Sequence, residues 1–281
     1  MQLGLPALGV EGRAGHARPF LKWAGGKGAL LSQYAQYVPR AYGRYFEPFV
    51  GSGAMFFWLK PSRAFLSDLN AELVNCYQIV KSHVEELIRA LTKMNRNEKK
   101  FYYKVRSLNP GDLSPVERAA RTIFLNRTCF NGLYRVNRAG KFNVPFGRYI
   151  NPRILDADKL RACSTALKHA QIIADDYAKL YRKARAGDLV YFDPPYQPLT
   201  KTSYFTQYVE GGFTEADQER LARLFDELDH RGCLVMLSNS GTDFIRRLYK
   251  RHRQVAIQAR RAINCKPERR GEVTELLIVN F

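Results

Sequence analysis

The sequence predicts an α/β protein built on a twisted, mostly parallel sheet that is flanked by helices. Seven short apolar runs are typical of strands, and helical patterns separate several of them. The last two runs are joined by a polar, basic connection with no helical pattern, so we expect those two strands to pair antiparallel. Between about residues 71 and 152 the alternation of strand and helix stops, which indicates an insertion.

The composition indicates a polyanionic partner. The chain of 281 residues is 46% hydrophobic, enough for a large core, and 45 lysines and arginines against 26 acids give a formal charge of +19. This excess favours nucleic acid first and an anionic membrane surface second. No apolar run approaches the ~18 residues of a spanning helix, and the first ten residues lack a signal-peptide pattern. Five cysteines without close pairing argue against a disulfide scaffold or a zinc site, so we expect a cytoplasmic protein.

The elements follow in order along the chain. Residues 1–18 are rich in Gly and Ala without periodicity, and we expect a flexible tail. A glycine turn precedes a predicted helix at 29–37. Asn70 is a suitable cap for a helix that runs to about residue 91, and Thr214, followed by Asp217, caps one that runs to about residue 230. The predicted strands lie at 45–49, 64–68, 171–174, 189–193, 233–238, 254–260 and 275–280.

The insertion has its own signals. Ser114 and Glu117 form a capping box around Pro115, which predicts a helix to about residue 127. Residues 133–136 and 141–144 flank a short loop that ends in Gly140, which is typical of a β-hairpin. Residues 93–153 hold fourteen basic, three acidic and nine aromatic residues. This mixture predicts a surface that grips nucleic acid, and the alternative is a solvated basic face with a small core of its own.

The stretch Asp193-Pro194-Pro195-Tyr196 is the strongest candidate site. It follows the apolar run 189–192, and two successive prolines end a strand. In open α/β sheets ligands bind at this carboxyl end of the strands. The Asp193 carboxylate and the Pro194 carbonyl accept two hydrogen bonds, which suits an exocyclic amine, and the Tyr196 ring suits the flat base that carries the amine. The alternative is a strand that ends in a Pro-Pro turn.

A second candidate site lies after the first strand. Gly51 and Gly53 allow a tight turn and a close approach to a ligand, although G-x-G alone is weak evidence. Asp68 ends the next strand, where an acid can bind both hydroxyls of a ribose. The pair favours a nucleoside-containing cofactor over a simple tight turn. The stretch from Gly25 to Gly28 is too short for a phosphate-binding loop, which argues against an ATPase.

Together these motifs resemble the Dam family of S-adenosylmethionine-dependent DNA adenine-N6 methyltransferases. The resemblance extends from residue 19 to residue 280. It implies a Rossmann-like methyltransferase fold, with a seven-stranded mostly parallel sheet, one antiparallel strand and an inserted, mainly helical target-recognition domain that carries a β-hairpin. It implies a catalytic domain at 19–70 and 156–281 and a DNA target-recognition domain at 71–155. The matching motifs, in the family's order, are residues 21–27, 47–53, 67–70, 131–133 with 143–147, and 193–196.

The resemblance also implies the roles of residues in the catalytic domain. The flipped adenine is held by the four catalytic residues Asp193, Pro194, Pro195 and Tyr196. The cofactor is S-adenosylmethionine, with S-adenosylhomocysteine as product and no metal. Tyr177 stands where Phe is common in the family and is still expected to stack on the cofactor's adenine. The implied cofactor-binding residues are Trp23, Lys27, Glu47, Phe49, Gly51, Gly53, Asp68, Asp176, Tyr177 and Asp193.

The implied DNA contacts lie mainly in the insertion. Phe130 matches an aromatic that wedges into the base stack, with hairpin core as the alternative. Arg135 matches a base-reading position and suits guanine. Arg148 matches a backbone or flanking contact, with a generic phosphate contact as the alternative. The full set implied to contact DNA is Lys22, Phe130, Asn131, Leu133, Arg135, Pro145, Arg148 and Tyr149.

The expected function is therefore methylation of a flipped adenine in double-stranded DNA, with GATC as the expected site, by a monomer. One alternative is an amino-methyltransferase with another site or base, such as cytosine N4, although such enzymes more often have Ser at the position of Asp193. The other is a nucleic-acid-binding protein without activity. Residues 208–213 lack a His-Thr-Asn-Ser stretch that some relatives carry. The sequence therefore does not decide how this loop covers the flipped base. Whether a restriction partner exists also stays open.

Overall fold

The computed structural model describes residues 16–199, 213–260 and 272–281. Within these residues seven strands form one sheet in the order β3-β2-β1-β4-β5-β7-β6. Strands β1 to β5 pair in parallel where they are neighbours, and β7 runs antiparallel to both β5 and β6. The strands are β1 Tyr45–Glu47, β2 Ala64–Asp68, β3 Ala170–Ala174, β4 Leu189–Phe192, β5 Leu234–Ser240, β6 Arg253–Arg260 and β7 Glu272–Val279.

This sheet confirms the predicted architecture, a mostly parallel seven-stranded sheet with one antiparallel strand. The predicted antiparallel pairing of the last two strands is also confirmed, because β6 and β7 pair from Arg253 opposite Val279 to Arg260 opposite Glu272. Antiparallel neighbours can be joined by a short connection, whereas parallel neighbours need a crossover of a dozen or more residues. Residues 1–15 of the predicted tail and residues 208–212 of the predicted loop lie outside the described residues.

Helices cover both faces of the sheet, and among the described residues no helix is long and apolar enough to cross a bilayer. Two predicted capping boxes are present, with Ser114 at the start of α6 and Thr214 at the start of α9. The α-helices are α1 Leu31–Tyr34, α2 Ala54–Leu59, α3 Ala71–Ser82, α4 Val84–Lys93, α5 Lys99–Ser107, α6 Pro115–Thr128, α7 Ala157–Leu167, α8 Tyr177–Leu180, α9 Glu215–His230 and α10 Asp243–Leu248.

Two predicted helices differ in the structure. The helix from Asn70 begins as expected, with the Asn70 side chain accepting from Leu73 N at 3.0 Å, but it breaks at His83, where φ is −136° and ψ is 38°. Two acids, Glu85 and Glu86, then occupy the first turn of α4, where they favour a new helix start. The predicted helix at 29–37 is instead two 3₁₀ turns on either side of α1.

The hairpin of the insertion, residues 133–144, is shorter than predicted. Val136 and Phe142 form one antiparallel bridge, and Asn137 N donates to Lys141 O at 2.9 Å. Gly140 has a φ of +69°, which allows the tight turn. On the other side of the bridge Asn143 N donates to Arg135 O at 3.0 Å, but no regular strands form in this segment.

Three clusters of buried side chains hold the molecule together. The largest joins α3, α4, α6 and α7 to one face of the sheet, and the second joins α9 and α10 to the other face. A smaller cluster packs α5 and the end of α6 against the hairpin, with Tyr102, Phe124 and Phe142 among its members. The insertion is therefore anchored in the main core through α4 and α6 and carries its own small core beneath the hairpin.

Candidate active site at the carboxyl edge of the sheet

The candidate site lies where the parallel strands end. Strands β1 and β2 end at Glu47 and Asp68, and β4 is followed directly by the stretch 193–196. Because β7 is antiparallel, a residue near its start reaches the same edge, and Glu275 lies opposite Ser240 at the end of β5. Four acids from four strands, the fourth being Asp193 after β4, thus meet at one edge of the sheet.

Asp193 is paired with Lys27. The Nζ of Lys27 lies 2.9 Å from Oδ1 of Asp193 and donates to the carbonyl of Gly25 at 2.6 Å. The side chains are 4% exposed for Lys27 and 20% exposed for Asp193. Burial raises the pKa of Asp193 to about 6, Lys27 opposes that rise, and the charge of Glu275 adds to it. Asp193 is therefore an ionised acceptor at neutral pH.

The ring of Tyr196 lies under the same ammonium group, with Nζ of Lys27 4.6 Å from the ring centre. Its hydroxyl donates to Oε2 of Glu275 at 2.7 Å. Three further hydroxyl groups are buried in this region, where Ser238 Oγ lies 3.0 Å from the hydroxyl of Tyr34 and 2.7 Å from the hydroxyl of Tyr191. These hydrogen-bonded hydroxyl groups of Ser238, Tyr34 and Tyr191 form the hydroxyl floor of the site.

A buried amide network fixes the backbone of the stretch 193–197. Gln218 Nε2 donates to the carbonyl of Pro195 at 2.9 Å, and Asn239 Nδ2 donates to Gln218 Oε1 at 2.9 Å. Gln197 N donates to Asn239 Oδ1 at 3.1 Å. Among the hydrogen bonds of the described residues, none engages the carbonyl of Pro194, so that oxygen keeps its acceptor capacity. That Asp193 and the Pro194 carbonyl act together as acceptors of one amine stays a prediction from the sequence.

The glycine turn after β1 requires its glycines. Gly51 and Gly53 have φ values of +46° and +67°, and a Cβ on Gly53 would lie 2.6 Å from the hydroxyl of Tyr77. Gly51 N donates to Asp68 Oδ2 at 3.2 Å, which ties the turn to the end of β2. Burial raises the pKa of Asp68, and backbone N–H groups oppose that rise. A Cβ on Gly51 would lie 3.0 Å from Cδ1 of Trp23, which lines the cavity beside the turn.

That cavity is lined by five of the residues expected to bind the cofactor, and they are Trp23, Lys27, Glu47, Gly51 and Asp193. Glu47 is 2% exposed and accepts from the hydroxyl of Tyr45 at 2.9 Å. Burial raises the pKa of Glu47 well above its ordinary value. The cavity therefore has an aromatic wall, a buried ammonium group and carboxyl groups, which suit the polar amino-acid and sugar parts of a nucleoside cofactor.

An aromatic cluster forms next to the ends of β1 and β3. The ring of Phe49 lies 5.1 Å from that of Tyr177 and 5.9 Å from that of Phe213. Arg220 lies over the Tyr177 ring at 5.0 Å and contacts Asp176 Oδ1 at 3.3 Å. The Tyr177 hydroxyl is buried and has no hydrogen-bond partner among the described residues. These aromatic and polar groups suit the flat, hydrogen-bonding base of the same cofactor.

The residues expected to contact DNA lie on and around the hairpin. Phe130 is 49% exposed and is not part of the hairpin cluster, so hairpin core does not account for it. Arg135 is exposed, and its Nε donates to Asn143 Oδ1 at 2.8 Å. The Nζ of Lys22 lies 4.2 Å from the centre of the Tyr149 ring. Asn131, Pro145 and Arg148 are also exposed, and Leu133 is partly buried.

Asn126 joins this surface to the cofactor cavity. Its Nδ2 donates to the carbonyls of Lys22 and Gly132, both at 2.8 Å, and its Oδ1 accepts from Lys22 N at 2.8 Å. The ring of Trp23, which lines the cavity, stacks on Tyr134 of the hairpin with ring centres 5.3 Å apart. The hairpin is thereby held against the segment that leads into the cavity.

Several of these residues escape the sequence analysis. Asn239, Gln218 and Glu275 hold the stretch 193–197, yet none belongs to a motif. Two signals exist in the sequence. The buried strand β5 ends in the polar run Ser238-Asn239-Ser240, and Glu275 is an acid next to the apolar run 276–279. A polar group at the end of an otherwise apolar strand is typical of a site residue.

The chain is similar to known DNA methyltransferases over most of its length. Residues 23–263 match the family model of the D12 class N6 adenine-specific DNA methyltransferases. The type II methyltransferase M1.LlaDCHI of Lactococcus lactis subsp. cremoris is 44% identical over 271 residues, covering 94% of this chain and 95% of the relative. Type II methyltransferase M.MjaIII of Methanocaldococcus jannaschii is 44% identical over 286 residues, covering 94% and 99%. DNA adenine methylase of Escherichia coli strain K12 is 36% identical over 263 residues, covering 92% and 94%.

Proposed function

The chain belongs to the D12 class of N6 adenine-specific DNA methyltransferases, and on that premise we propose that it moves a methyl group from S-adenosylmethionine to N6 of an adenine flipped out of double-stranded DNA. The acceptor pair formed by Asp193 and the Pro194 carbonyl carries the proposal. It lies at the carboxyl edge of the sheet, where the Tyr196 ring offers a stacking surface. Because the reacting nitrogen is not accessible inside a duplex, the base must leave the stack.

The two acceptors act on the nucleophile. The N6 amine is a poor nucleophile because its lone pair is delocalised into the ring. Hydrogen bonds from the amine to Asp193 and to the Pro194 carbonyl localise that lone pair on nitrogen. The pKa of about 6 keeps Asp193 ionised at neutral pH, so its carboxylate accepts without first losing a proton. The rigid amide network behind the stretch holds both acceptors in place.

The charges balance across the transfer. The cofactor supplies, when bound, a methyl group that is already activated on a sulfonium sulfur. With the cofactor bound, the methyl group would pass to N6 and the carbon–sulfur electron pair would stay with the neutral thioether product. N6 would then carry a positive charge and lose one proton, which the Asp193 carboxylate, as one of the two acceptors of the amine, would take and pass to water. Alignment over about 3–3.5 Å, rather than a covalent enzyme intermediate, is what the protein contributes.

The cofactor residues keep the roles proposed for them, with one addition. Asp68 at the glycine turn suits the ribose, and Asp176 with Tyr177 suits the adenine. Lys27 was expected near the methionine part of the cofactor. Its ammonium group lies on Asp193 in the structure, so we assign it the further role of stabilising the ionised form of that carboxylate. No residue in this account requires a metal.

We propose GATC as the recognition site and residues 71–155 as the target-recognition domain. Support for the domain comes from the fourteen basic residues at 93–153 and from the small core beneath the hairpin. Support for the site comes from Arg135, Leu133 and Pro145, which match base-reading positions of the family that the sequence resembles. An arginine is suited to hydrogen-bond O6 and N7 of guanine. The same proposal places the protein in the cytoplasm, on DNA, as a monomer.

Sequencing of modified bases tests this function directly. The gene is expressed in cells that lack adenine methylation, beside an Asp193→Ala variant whose folding is checked by circular dichroism. N6-methyladenine at GATC is expected with the first and not with the second. Methylation of adenine at another sequence would overturn the site alone. Methylation of cytosine, or none from a folded protein, would overturn the function.

A further inference from the structure

The hydroxyl of Tyr196 is bonded to a carboxylate that lies outside every motif of the sequence. It donates to Oε2 of Glu275 at 2.7 Å. Glu275 lies 79 residues further along the chain, on β7, and is half-buried. Among the described residues no other hydrogen bond or ion pair involves its side chain. Within the described part of the chain, Tyr196 is therefore the hydrogen-bond partner of the Glu275 carboxylate.

The direction of β7 explains this placement. Glu275 lies opposite Ser240 on β5 and opposite Ile257 on β6. It shares a face of β7 with Leu277 and Val279, which are buried in the same cluster as Tyr34 and Tyr191. Glu275 therefore extends this packed face of β7 to the edge of the sheet where the parallel strands end. The hydroxyl floor of the site and Glu275 consequently lie on the same side of the sheet.

We propose that Glu275 is a positioning residue for the methyl transfer, which fixes the Tyr196 ring against the target base and sets a second negative charge beside Asp193. The proposal rests on the proposed function and deepens it, because the substrate of this site is the flipped base. Glu275 does not contact the reacting atoms in this account. It acts through Tyr196 and through the local charge.

The first part of the role is geometric. A tyrosine ring has two side-chain torsions, and Tyr196 follows two prolines that fix only the backbone. A hydrogen bond to an ionised acceptor is shorter and stronger than a neutral one, so Glu275 removes much of the remaining freedom of the ring. Stacking sites need their groups held within about 0.5 Å of the productive position. The Tyr196 ring then presents a fixed face to the base.

The second part of the role is electrostatic. N6 gains positive charge during the transfer, and the charged groups around it decide how well that charge is tolerated. Asp193 faces Lys27 from the first 3₁₀ turn, Glu275 from β7, and more distant groups on β1, β4, α1 and its own loop. Those groups are Glu47, Tyr45, Tyr191, Tyr34 and Tyr196. Lys27 lowers the pKa of Asp193 and Glu275 raises it, so the two act in opposite directions.

Charge removal without loss of shape tests the proposal. Glu275→Gln keeps the size of the side chain, and Glu227→Gln, the same change at an exposed site on α9, is the control. Tyr196→Phe removes the same hydrogen bond from its other end. Single-turnover methyl transfer is measured on one duplex, together with the Kd for DNA and for S-adenosylmethionine. A second readout is the pH at which the rate falls on the acid side.

For Glu275→Gln we expect a loss of about tenfold in the transfer rate, with both Kd values within about twofold of the wild type. The acid-side midpoint should move to lower pH, because a charge that raises the pKa of Asp193 is gone. The double variant with Tyr196→Phe should be no slower than the slower single variant, since both remove one bond. Glu227→Gln should match the wild type.

Three outcomes would overturn the inference. An unchanged rate and midpoint in Glu275→Gln, with an active wild type, would remove Glu275 from the mechanism and leave the proposed function intact. Additive losses in the double variant would show that Glu275 does not act through the Tyr196 hydroxyl. An inactive wild type would overturn the proposed function and this inference with it. If Glu275→Gln does not fold, Tyr196→Phe decides whether the bond matters to the rate.

Discussion

Lys27 and Asp193 form an ion pair at 2.9 Å in a site where the lysine is nearly inaccessible to water. A buried ammonium group beside a carboxylate has a large effect on that carboxylate, because little solvent screens the two charges. Burial alone would favour a protonated Asp193, and Lys27 opposes this. The pair therefore decides the pH range over which Asp193 accepts a hydrogen bond from an amine.

The first prediction concerns that range. In the wild type, kcat/KM should fall below about pH 6, close to tenfold per unit, because Asp193 is active when ionised and its pKa is about 6. Lys27→Met removes a charge that lowers this pKa, so the acid-side midpoint should move to higher pH. Initial rates across a pH series, with Lys168→Met at an exposed site as control, measure the shift. A midpoint that stays in place or moves down would contradict the assigned role of Lys27.

The second prediction separates chemistry from cofactor binding at Asp193. Asp193→Ala should lower methyl transfer by at least about 100-fold, as removal of one essential polar contact to the reacting group does in other enzymes. Cofactor binding should survive, because Trp23, the glycine turn and Asp68 remain. A saturating cofactor should still raise the melting temperature of the variant. Normal turnover in the variant would exclude the proposed acceptor pair.

The third prediction separates base reading from phosphate contact. Arg135 and Arg138 are exposed arginines three residues apart on the hairpin. Arg135→Ala should relax the choice of sequence, with about 1–3 kcal/mol less discrimination at one base pair. Arg138→Ala, at the turn, should weaken binding to all sequences alike and reduce the salt slope by about one. Competition assays with single-substitution duplexes measure both, and a uniform loss for Arg135→Ala would mark it as a phosphate contact.

The fourth prediction follows from the charge of the insertion. Residues 93–153 include fourteen basic and three acidic residues, and the basic ones should neutralise several phosphates. Each neutralised phosphate releases condensed counterions. Binding to non-specific DNA should therefore weaken steeply as salt rises, with log K linear in log salt concentration. Titrations between 50 and 200 mM salt measure the slope. Over that range a protein with about six to ten phosphate contacts loses roughly 10³–10⁵-fold in affinity. An affinity for non-specific DNA that does not change with salt would contradict electrostatic binding by this segment.

Local signals in the sequence predicted much of this structure. The bounds of β2 were exact, at Ala64–Asp68, because an apolar run there meets clear polar ends. The capping boxes at Ser114 and Thr214 were predicted because each is complete within four residues. The stretch 193–196 was recognised because two prolines must end the strand before them. In each case the physical cause lies within a few residues of its effect.

The remainder depended on distant parts of the chain. The break at His83 places the apolar face of α4 against α6, and although Glu85 and Glu86 favour a helix start, this packing depends on residues far along the chain. Helix α7 was not predicted, although Asp156 caps it by accepting from Lys159 N at 3.3 Å. Glu275 could be connected to Tyr196 only once the sheet order was known. Strand order is a property of the whole fold, so this part of the site was not visible from motifs.

The position of β7 in the sheet also has a consequence for how the protein is made. Strand β7 lies between β5 and β6, and it is the strand that β6 pairs with among those described. A ribosome releases β5 and β6 before the strand that separates them. Until residues 272–279 have left the ribosome, the outer edge of β5 and both edges of β6 are unpaired, a state that favours association between nascent chains. A nascent chain that has not yet released β7 also lacks Glu275, so the candidate site is completed only after this strand has emerged.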